Sequence, residues 1–463
     1  MASGRAIRRR TVLLLVVAVA AALIITGAVP NPFPTIWAWV SEERPLADDL
    51  AWQERLGARP AAATAAGDAL AVAAGSSAQL YQRGSGRPVS MAQTDGWEAQ
   101  WVVVAGSGAG SIVISSPRGE DGYEVRDPDT GRVIHTDDEA VAVWGFGDAW
   151  LDLRCDDRRA CQLRGYQPDG VEPQWRTDLP GQREGLVGGN PELAGPQSVG
   201  SNRIPDDIAG PEPVPPLLGF PVTRRGDDVV VVVDTRTGQI RQELAQGADE
   251  RVIVVGGRVI RSVMRRYDGV CVSEVTGYDA VTGDPVWGPS PYHLWSTGDV
   301  GCEQREPPVA GGAAVAVRSA EGEPMILDAY DGRVLWSGEL GEQVEALSAE
   351  LAVIRDEDGF QRRGIRLGGD GALLWERRAD EEAALAIAQC GVVVSDRHPN
   401  RVYVWDKQTG EDRLSVSTSA RVLACAPDGV LLTEGRSIGF ARFDGLTSPE
   451  SGSDSTPPEV DSK

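Results

Sequence analysis

The sequence predicts an all-β fold, a single β-propeller carried behind one N-terminal transmembrane helix. Three observations predict it. Short apolar runs lead, again and again, into turns that contain Asp and end in Gly. Those turns recur about every 40–45 residues once one long interval is set aside, the period of a repeat with four short strands. One uncharged run, Thr11–Val29, is long enough to span a bilayer, and no second run of that kind follows.

Composition sets the outer bounds. The chain has 463 residues, 41% hydrophobic and 24% charged, too apolar to be globally disordered. Length alone suggests two or three domains, but a repeat fold absorbs it as one. Acids outnumber bases 68 to 45, for a net charge of −23. That sign excludes nucleic acid as a phosphate-bound partner. Only Lys407 and Lys463 are lysines, and with abundant Ala, Gly and Val this points to a GC-rich bacterial source.

Residues 1–10 form a basic tail with Arg5, Arg8, Arg9 and Arg10. Residues 11–29 are expected to form the transmembrane helix, about 28 Å long at 1.5 Å per residue. The arginines keep the N-terminus in the cytoplasm, so everything after the helix is exported. The alternative is a cleaved signal, because Thr26-Gly27-Ala28 offers small residues to a peptidase; the product would then be secreted. Residues 30–68 read as a juxtamembrane stem. Trp37, Trp39 and Trp52 are taken as interfacial, and Asp48–Leu56 as a short helix.

Residues 69–446 carry the repeat. Clear copies of the turn are Asp127–Gly131, Asp234-Thr235-Arg236-Thr237-Gly238, Asp279-Ala280-Val281-Thr282-Gly283, Asp328–Gly332, Gly368–Gly371 and Asp406-Lys407-Gln408-Thr409-Gly410. Weaker copies end at Gly86 and Gly170, and a stub ends at Phe443-Asp444-Gly445. The Asp can accept a hydrogen bond from a backbone N–H two residues on. The Gly supplies the positive φ of the hairpin bulge. Four residues after their Gly stand Trp287, Trp336 and Trp375, and five after stands Trp175. Each should fill the gap between neighbouring sheets, burying roughly 150–250 Å².

Successive turn glycines are 45, 39, 68, 45, 49, 39 and 39 residues apart. The long interval contains residues 185–216, rich in Gly and Pro, expected to be an inserted surface loop. Eight turns predict eight blades. Seven result if the unit at Gly86 or Gly170 is not a full blade. The segment Arg421–Asp444 is expected to complete the first blade and close the ring, removing exposed sheet edges. Residues 447–463, acidic and rich in Ser and Pro, are expected to be disordered.

All six cysteines follow the membrane run, and an even number in an exported segment favours disulfides. Of 15 pairings, the one expected joins Cys155 to Cys161 across a hairpin, Cys271 to Cys302 by proximity, and Cys390 to Cys425 in similar places of adjacent repeats. No C-x2-C spacing occurs, and His135, His293 and His398 are scattered, so a zinc site has no support. There is no Asn-x-Ser/Thr sequon.

The motif Asp-x-x-Thr-Gly, followed by a hydrophobic residue and Trp, resembles the PQQ-like (pyrroloquinoline-quinone-type) β-propeller repeat over roughly residues 69–446. The resemblance implies fold more than function, because the repeat is structural. Quinoprotein dehydrogenases of that family carry a vicinal Cys–Cys disulfide over the quinone, calcium ligands and a catalytic Asp. This chain has no adjacent cysteines and no C-x-x-C-H haem site. The family also includes a non-enzymatic scaffold lipoprotein of outer-membrane assembly.

Other catalytic readings weigh less than their structural counterparts. Gly106–Gly110 looks like a phosphate loop but lacks the Lys and a following helix. Asp137-Asp138, Asp156-Asp157 and Asp227-Asp228 lack the alternating spacing of a calcium loop. His135 stands where other units place Trp. No catalytic, cofactor-binding or metal-ligating residue is therefore assigned. The expected function is an extracytoplasmic scaffold that binds a protein partner of the cell envelope, with a monomeric ectodomain and no chemistry. The alternatives are an exported propeller enzyme, quinone-dependent or hydrolytic, and the ectodomain of a sensor complex.

Overall fold

In the computed structural model the recurrent apolar runs are strands, and the Asp–Gly turns join them into antiparallel sheets. The structure describes residues 46–443, except 94–98, 106–111, 118–121, 129, 157–159, 180–185, 187, 194–212, 225, 268–269, 296–306 and 370. The expected tail at 1–10, membrane helix at 11–29 and acidic tail at 447–463 lie outside the described residues, as does the stem up to residue 45. Among the described residues, no helix is long and apolar enough to cross a membrane.

The described strands form nine successive sheets, not eight or seven. We number these blades 1 to 9: residues 60–93, 99–137, 140–179, 217–246, 250–290, 293–337, 343–378, 384–417, and 421–442 joined by Trp52–Arg55. Strand alternation sends successive side chains to opposite faces, and both faces are apolar. In blade 1, Leu70, Val72 and Tyr81 pack toward blade 9, whereas Ala71, Ala73 and Leu80 pack toward blade 2. Nine apolar clusters result, one at each junction, and they run round the ring without a gap.

The ring begins earlier than residue 69. Pro60–Ala66 is the first strand of blade 1, pairing with Ala69–Ala74. Blade 1 therefore needs nothing from the C-terminus. Strands Arg421–Ala426, Gly429–Glu434 and Ser437–Arg442 make their own blade, and its open edge is covered by Trp52–Arg55, antiparallel to Ser437–Arg442. The helix expected at Asp48–Leu56 is thus a strand in its main part, because a three-stranded edge offers backbone partners that an isolated helix would lack. Leu46, Ala47 and Leu56 are buried in the junctions on either side of blade 9.

Seven of the eight turn glycines have the expected positive φ, and Gly170, in a weaker copy, does not. The Asp234 carboxylate accepts from the N–H of Arg236 at 3.0 Å and of Thr237 at 3.1 Å, and Gly238 has φ +70°. Asp279 and Asp406 repeat the pattern. The tryptophans close the gaps between blades. Trp175 Nε1 donates to the Thr235 carbonyl at 2.9 Å, Trp287 to Ala329 at 3.0 Å and Trp375 to Lys407 at 3.0 Å, each in the next blade's turn. Each indole lies over a glycine of its own sheet, Gly165, Gly277 or Gly364, where a Cβ would come within 2.2 Å. Trp336 faces Ile326 instead and packs into the junction of blades 6 and 7. Trp52 does not stand free in a stem. It donates to the Arg83 carbonyl at 2.7 Å and stacks between Tyr81 and Phe440, so it locks blade 9 to blade 1.

The segment 185–216 is not simply a surface loop. Blade 4 has three strands, Leu217–Arg224, Asp227–Asp234 and Ile240–Gln246, and lacks the first strand found elsewhere. Leu186 and residues 188–193 take that place. The buried Asn190 side chain accepts from Gly219 N–H at 2.7 Å and donates to its carbonyl at 2.8 Å, as a paired strand would. Leu186 enters the core between blades 3 and 4. The inserted residues 194–212 lie outside the described residues.

Disulfides Cys155–Cys161 and Cys390–Cys425 form as expected, the first across a hairpin and the second between blades 8 and 9. Cys271 is also disulfide-bonded, and Cys302, its expected partner, lies outside the described residues.

Candidate interaction surface

The junction of blades 4 and 5 holds a cleft whose lining is described. The outer strand of blade 4, Ile240–Gln246, places Gln242 and Leu244 toward blade 5 by alternation. Val252, Val259 and Tyr278 of blade 5 face them, and with Gly283 they line a cleft of about 440 Å³. A second hollow of about 310 Å³ shares Arg261 and Tyr278 and extends along Val263, Glu274 and Thr276. On strand Arg258–Tyr267 and strand Val270–Tyr278 these residues share one face, so the two hollows form one groove along blade 5.

Two acids stand at its rim. Glu274 is exposed, and Glu243 pairs with Arg224 at 2.5 Å. Arg261 reaches both carboxylate oxygens of Glu250 at 2.6 Å. Those bonds hold the Glu250 carboxyl below its ordinary pKa and raise that of Arg261. The one base in the lining is therefore already engaged.

Two further polar clusters are sealed inside the ring. Between blades 2 and 3, Tyr123 and Tyr166 both donate to Asp152 Oδ2 at 2.9 Å, and the Trp150 ring stacks on Tyr166 at 3.7 Å. Burial raises the Asp152 pKa despite those bonds, and burial with the adjacent carboxylate raises both phenols. Between blades 7 and 8 the buried Arg362 meets Glu345 at 2.7 Å and also donates to the Gly359 carbonyl. Burial pushes Glu345 up, and Arg362 opposes it. All of these side chains are buried, so they hold blades together and offer solvent no reactive group.

The residues weighed from sequence fall into local structural tasks. Asp137 Oδ1 accepts from the N–H of Glu139 and Ala140, and its other oxygen pairs with Arg154. Asp156 accepts from Ala160 N–H within the disulfide hairpin. Asp227 and Asp228 begin a strand of blade 4. His135 packs near Tyr123 at the Trp-equivalent position of blade 2. Gly106–Gly110 and Asp157 lie outside the described residues. Among the described residues, no three His, Cys, Asp or Glu side chains converge as a metal site would need. The groove was missed by sequence reasoning. Its one signal is Gln242, four residues after Gly238, where the next three copies have Trp287, Trp336 and Trp375.

The Asp–Gly turns, the indoles docked on them and the four-stranded sheets prepare the comparison with known families. The family described as "Outer membrane protein assembly factor BamB" matches residues 164–345 and 272–423, together more than half of the chain. The chain belongs to this PQQ-like repeat family. No curated protein matches it. Among solved structures it is similar to BamB from Moraxella catarrhalis, at 14% identity over 80% of this chain and 98% of that one, with a TM-score of 0.35. It is also similar to Sqt1 of Saccharomyces cerevisiae, at 11% identity over 86% and 99% of the two chains, with a TM-score of 0.44. A eukaryotic initiation factor gives 10% identity over 83% and 91%, with a TM-score of 0.47.

The quinone that gives the family its name does not fit the described residues. Neither Cys155–Cys161 nor Cys390–Cys425 is the vicinal pair that caps it, and the recurrent acids are turned into their own backbone.

Proposed function

We propose that this chain is a membrane-anchored, extracytoplasmic scaffold that binds a protein partner of the cell envelope and catalyses no reaction. One observation carries the reading. The chain belongs to the repeat family of an outer-membrane assembly factor, and its repeat residues are spent on turns and blade junctions. Anchoring rests on the uncharged Thr11–Val29 run, and its orientation on Arg5, Arg8, Arg9 and Arg10. Beyond those arginines the chain holds 41 bases against 68 acids, so the exported part carries about −27 and suits a basic partner.

The test is cross-linking and affinity capture of the full-length protein from intact membranes. A specific envelope protein, recovered in proportion to the bait and lost in high salt, is the expected result. Capturing no partner, while the purified protein reduces a dye on addition of pyrroloquinoline quinone and calcium or hydrolyses ester substrates, would overturn the proposal.

A further inference from the structure

Antiparallel strands alternate in direction, so two kinds of connection emerge at the same end of the ring. One is the turn between a blade's second and third strands, and the other is the link into the next blade. For blades 6 and 7 these are residues 319–323, 338–342, 356–360 and 379–383. They read Ser-Ala-Glu-Gly-Glu, Gly-Glu-Leu-Gly-Glu, Asp-Glu-Asp-Gly-Phe and Ala-Asp-Glu-Glu-Ala, with ten acids and no Lys, Arg or His. The four connections touch in series. A Cβ on Gly322 would lie 3.5 Å from Leu340 Cδ1, one on Gly341 2.9 Å from Glu357 Cγ, and one on Gly359 3.0 Å from Glu381 Cγ. The Ala379 N–H also donates to the Phe360 carbonyl at 3.0 Å. They form one continuous surface from blade 6 to the start of blade 8.

Four of the ten acids have local partners. Glu342 pairs with Arg363, Glu382 meets Arg397 at 3.4 Å, Asp380 meets His398 Nδ1 at 3.4 Å, and Asp356 accepts from the Gln361 N–H at 2.9 Å. The other six, Glu321, Glu323, Glu339, Glu357, Asp358 and Glu381, are exposed, and no described cation pairs with them. Arginines at the adjoining strand ends are held elsewhere. Arg318 lies over the Trp295 ring at 3.5 Å, Arg355 donates to Gln343, and Arg378 lies over the Phe360 ring at 5.7 Å. Among these acids stand two apolar side chains. Leu340, 68% exposed, is the most exposed large apolar side chain among the described residues, and Phe360 is 40% exposed. Exposed apolar groups rimmed by charge mark interaction surfaces.

We propose that this face of blades 6 to 8 docks a segment of a partner protein that carries Lys or Arg with apolar residues between them. The apolar residues would cover Leu340 and Phe360, and the cations would lie against the six unpaired carboxylates. A single metal ion fits less well. It needs carboxylates converging on a point, and among the described residues no three His, Cys, Asp or Glu side chains do so. Charge spread along four loops matches a row of cations on a chain. Repulsion among the six carboxylates would be relieved on binding, and Leu340 would leave water. The inference rests on the scaffold reading and names the surface it would use.

The experiment uses full-length protein in phosphatidylcholine nanodiscs and the peptide fluorescein-Gly-Lys-Leu-Lys-Phe-Lys-Leu-Lys-amide, followed by fluorescence anisotropy with empty nanodiscs as the blank. Saturable binding above the blank is expected, weakening as salt rises. The same peptide with Ser for Leu and Phe should bind at least about fivefold more weakly. The triple variant Glu339→Lys, Glu357→Lys, Glu381→Lys changes only exposed side chains and should weaken binding by about tenfold or more. Glu172→Lys, Asp284→Lys, Glu411→Lys makes the same change of net charge on the opposite face and should weaken it by less than about threefold. Leu340→Ser should weaken it by about threefold or more with Tm unchanged. No wild-type binding above the blank overturns the proposal, as does undiminished binding by a folded Glu339/Glu357/Glu381 variant. Equal weakening by the two triple variants overturns it too, because net charge alone would then account for binding. So does equal binding of the Ser peptide. A concentration-dependent dimer in sedimentation, lost in the first triple variant, would give the face to a second copy and refute the partner. Envelope proteins captured equally by wild type and the first triple variant would leave the scaffold standing and refute this surface. Peptide binding at this face by a bait that captures no envelope protein would do the reverse.

Discussion

At the residue scale, two kinds of aspartate carry opposite pH signatures. Backbone N–H groups of Thr282 and Val281 hold the Asp279 carboxyl below its ordinary value. That stabilisation is present above the unfolded pKa of about 4 and is lost as pH falls through the depressed value. Asp152 is the converse. Burial raises its folded pKa, so the group costs nothing in acid and destabilises as pH rises through the raised value. Asp152→Asn, which keeps an acceptor for Tyr123 and Tyr166, is expected to match the wild type near pH 4 and to exceed its Tm at pH 8. Thermal melts across that range check it, and a constant gap at all pH values refutes it. Asp406→Ala should cost about 1–2 kcal/mol in urea unfolding, through loss of its bonds to Gln408 and Thr409. The turn aspartates were legible in the sequence because each bonds within three residues of itself. Asp152 was not, since Tyr166 is 14 residues away and Tyr123 is 29.

At the element scale, the decisive piece is the short strand Trp52–Arg55. It supplies the fourth strand of blade 9, and Trp52 bolts that blade to blade 1. Trp52→Ala should lower stability by about 3 kcal/mol or more, comparable to Trp375→Ala at an ordinary junction. Chemical denaturation of both variants measures this. A cost below about 1 kcal/mol for Trp52→Ala would mean that the closure does not depend on the indole. The strand escaped sequence reading because Trp-Gln-Glu-Arg has no apolar alternation and lies within the segment 30–68 read as a stem. Pro60–Ala66 was missed for a related reason. Its Ala-rich run carries little hydropathy contrast, and it becomes a strand because Ala69–Ala74 offers a paired edge. Asn190 was hidden more deeply, since nothing local says that a side-chain amide will stand in for a missing strand.

At the scale of the whole molecule, stability depends on closing a ring whose two ends are more than 350 residues apart in sequence. The Cys390–Cys425 bridge, with a sequence separation of 35, ties blade 8 to blade 9 beside that closure. Replacing both cysteines by serine should cost about 3–4 kcal/mol through the freedom restored to the unfolded chain. Tm and unreduced mass spectrometry check this together. Unchanged Tm would assign the ring's stability to the blade junctions alone, and an unreduced wild type carrying free thiols would overturn the exported, oxidised assignment.

The sequence by itself determined the repeat, the turn chemistry, the docking tryptophans of blades 3, 5 and 7, and two of the disulfides. These rest on interactions within one hairpin or on a period that repeats along the chain. Only the tertiary structure decided how many blades close the ring, which segment completes the last one, and where a junction stays open. Those depend on partners brought together by closure. An edge strand is defined by the sheet it completes, and the groove beside Gln242 by the indole that its neighbours have and it lacks.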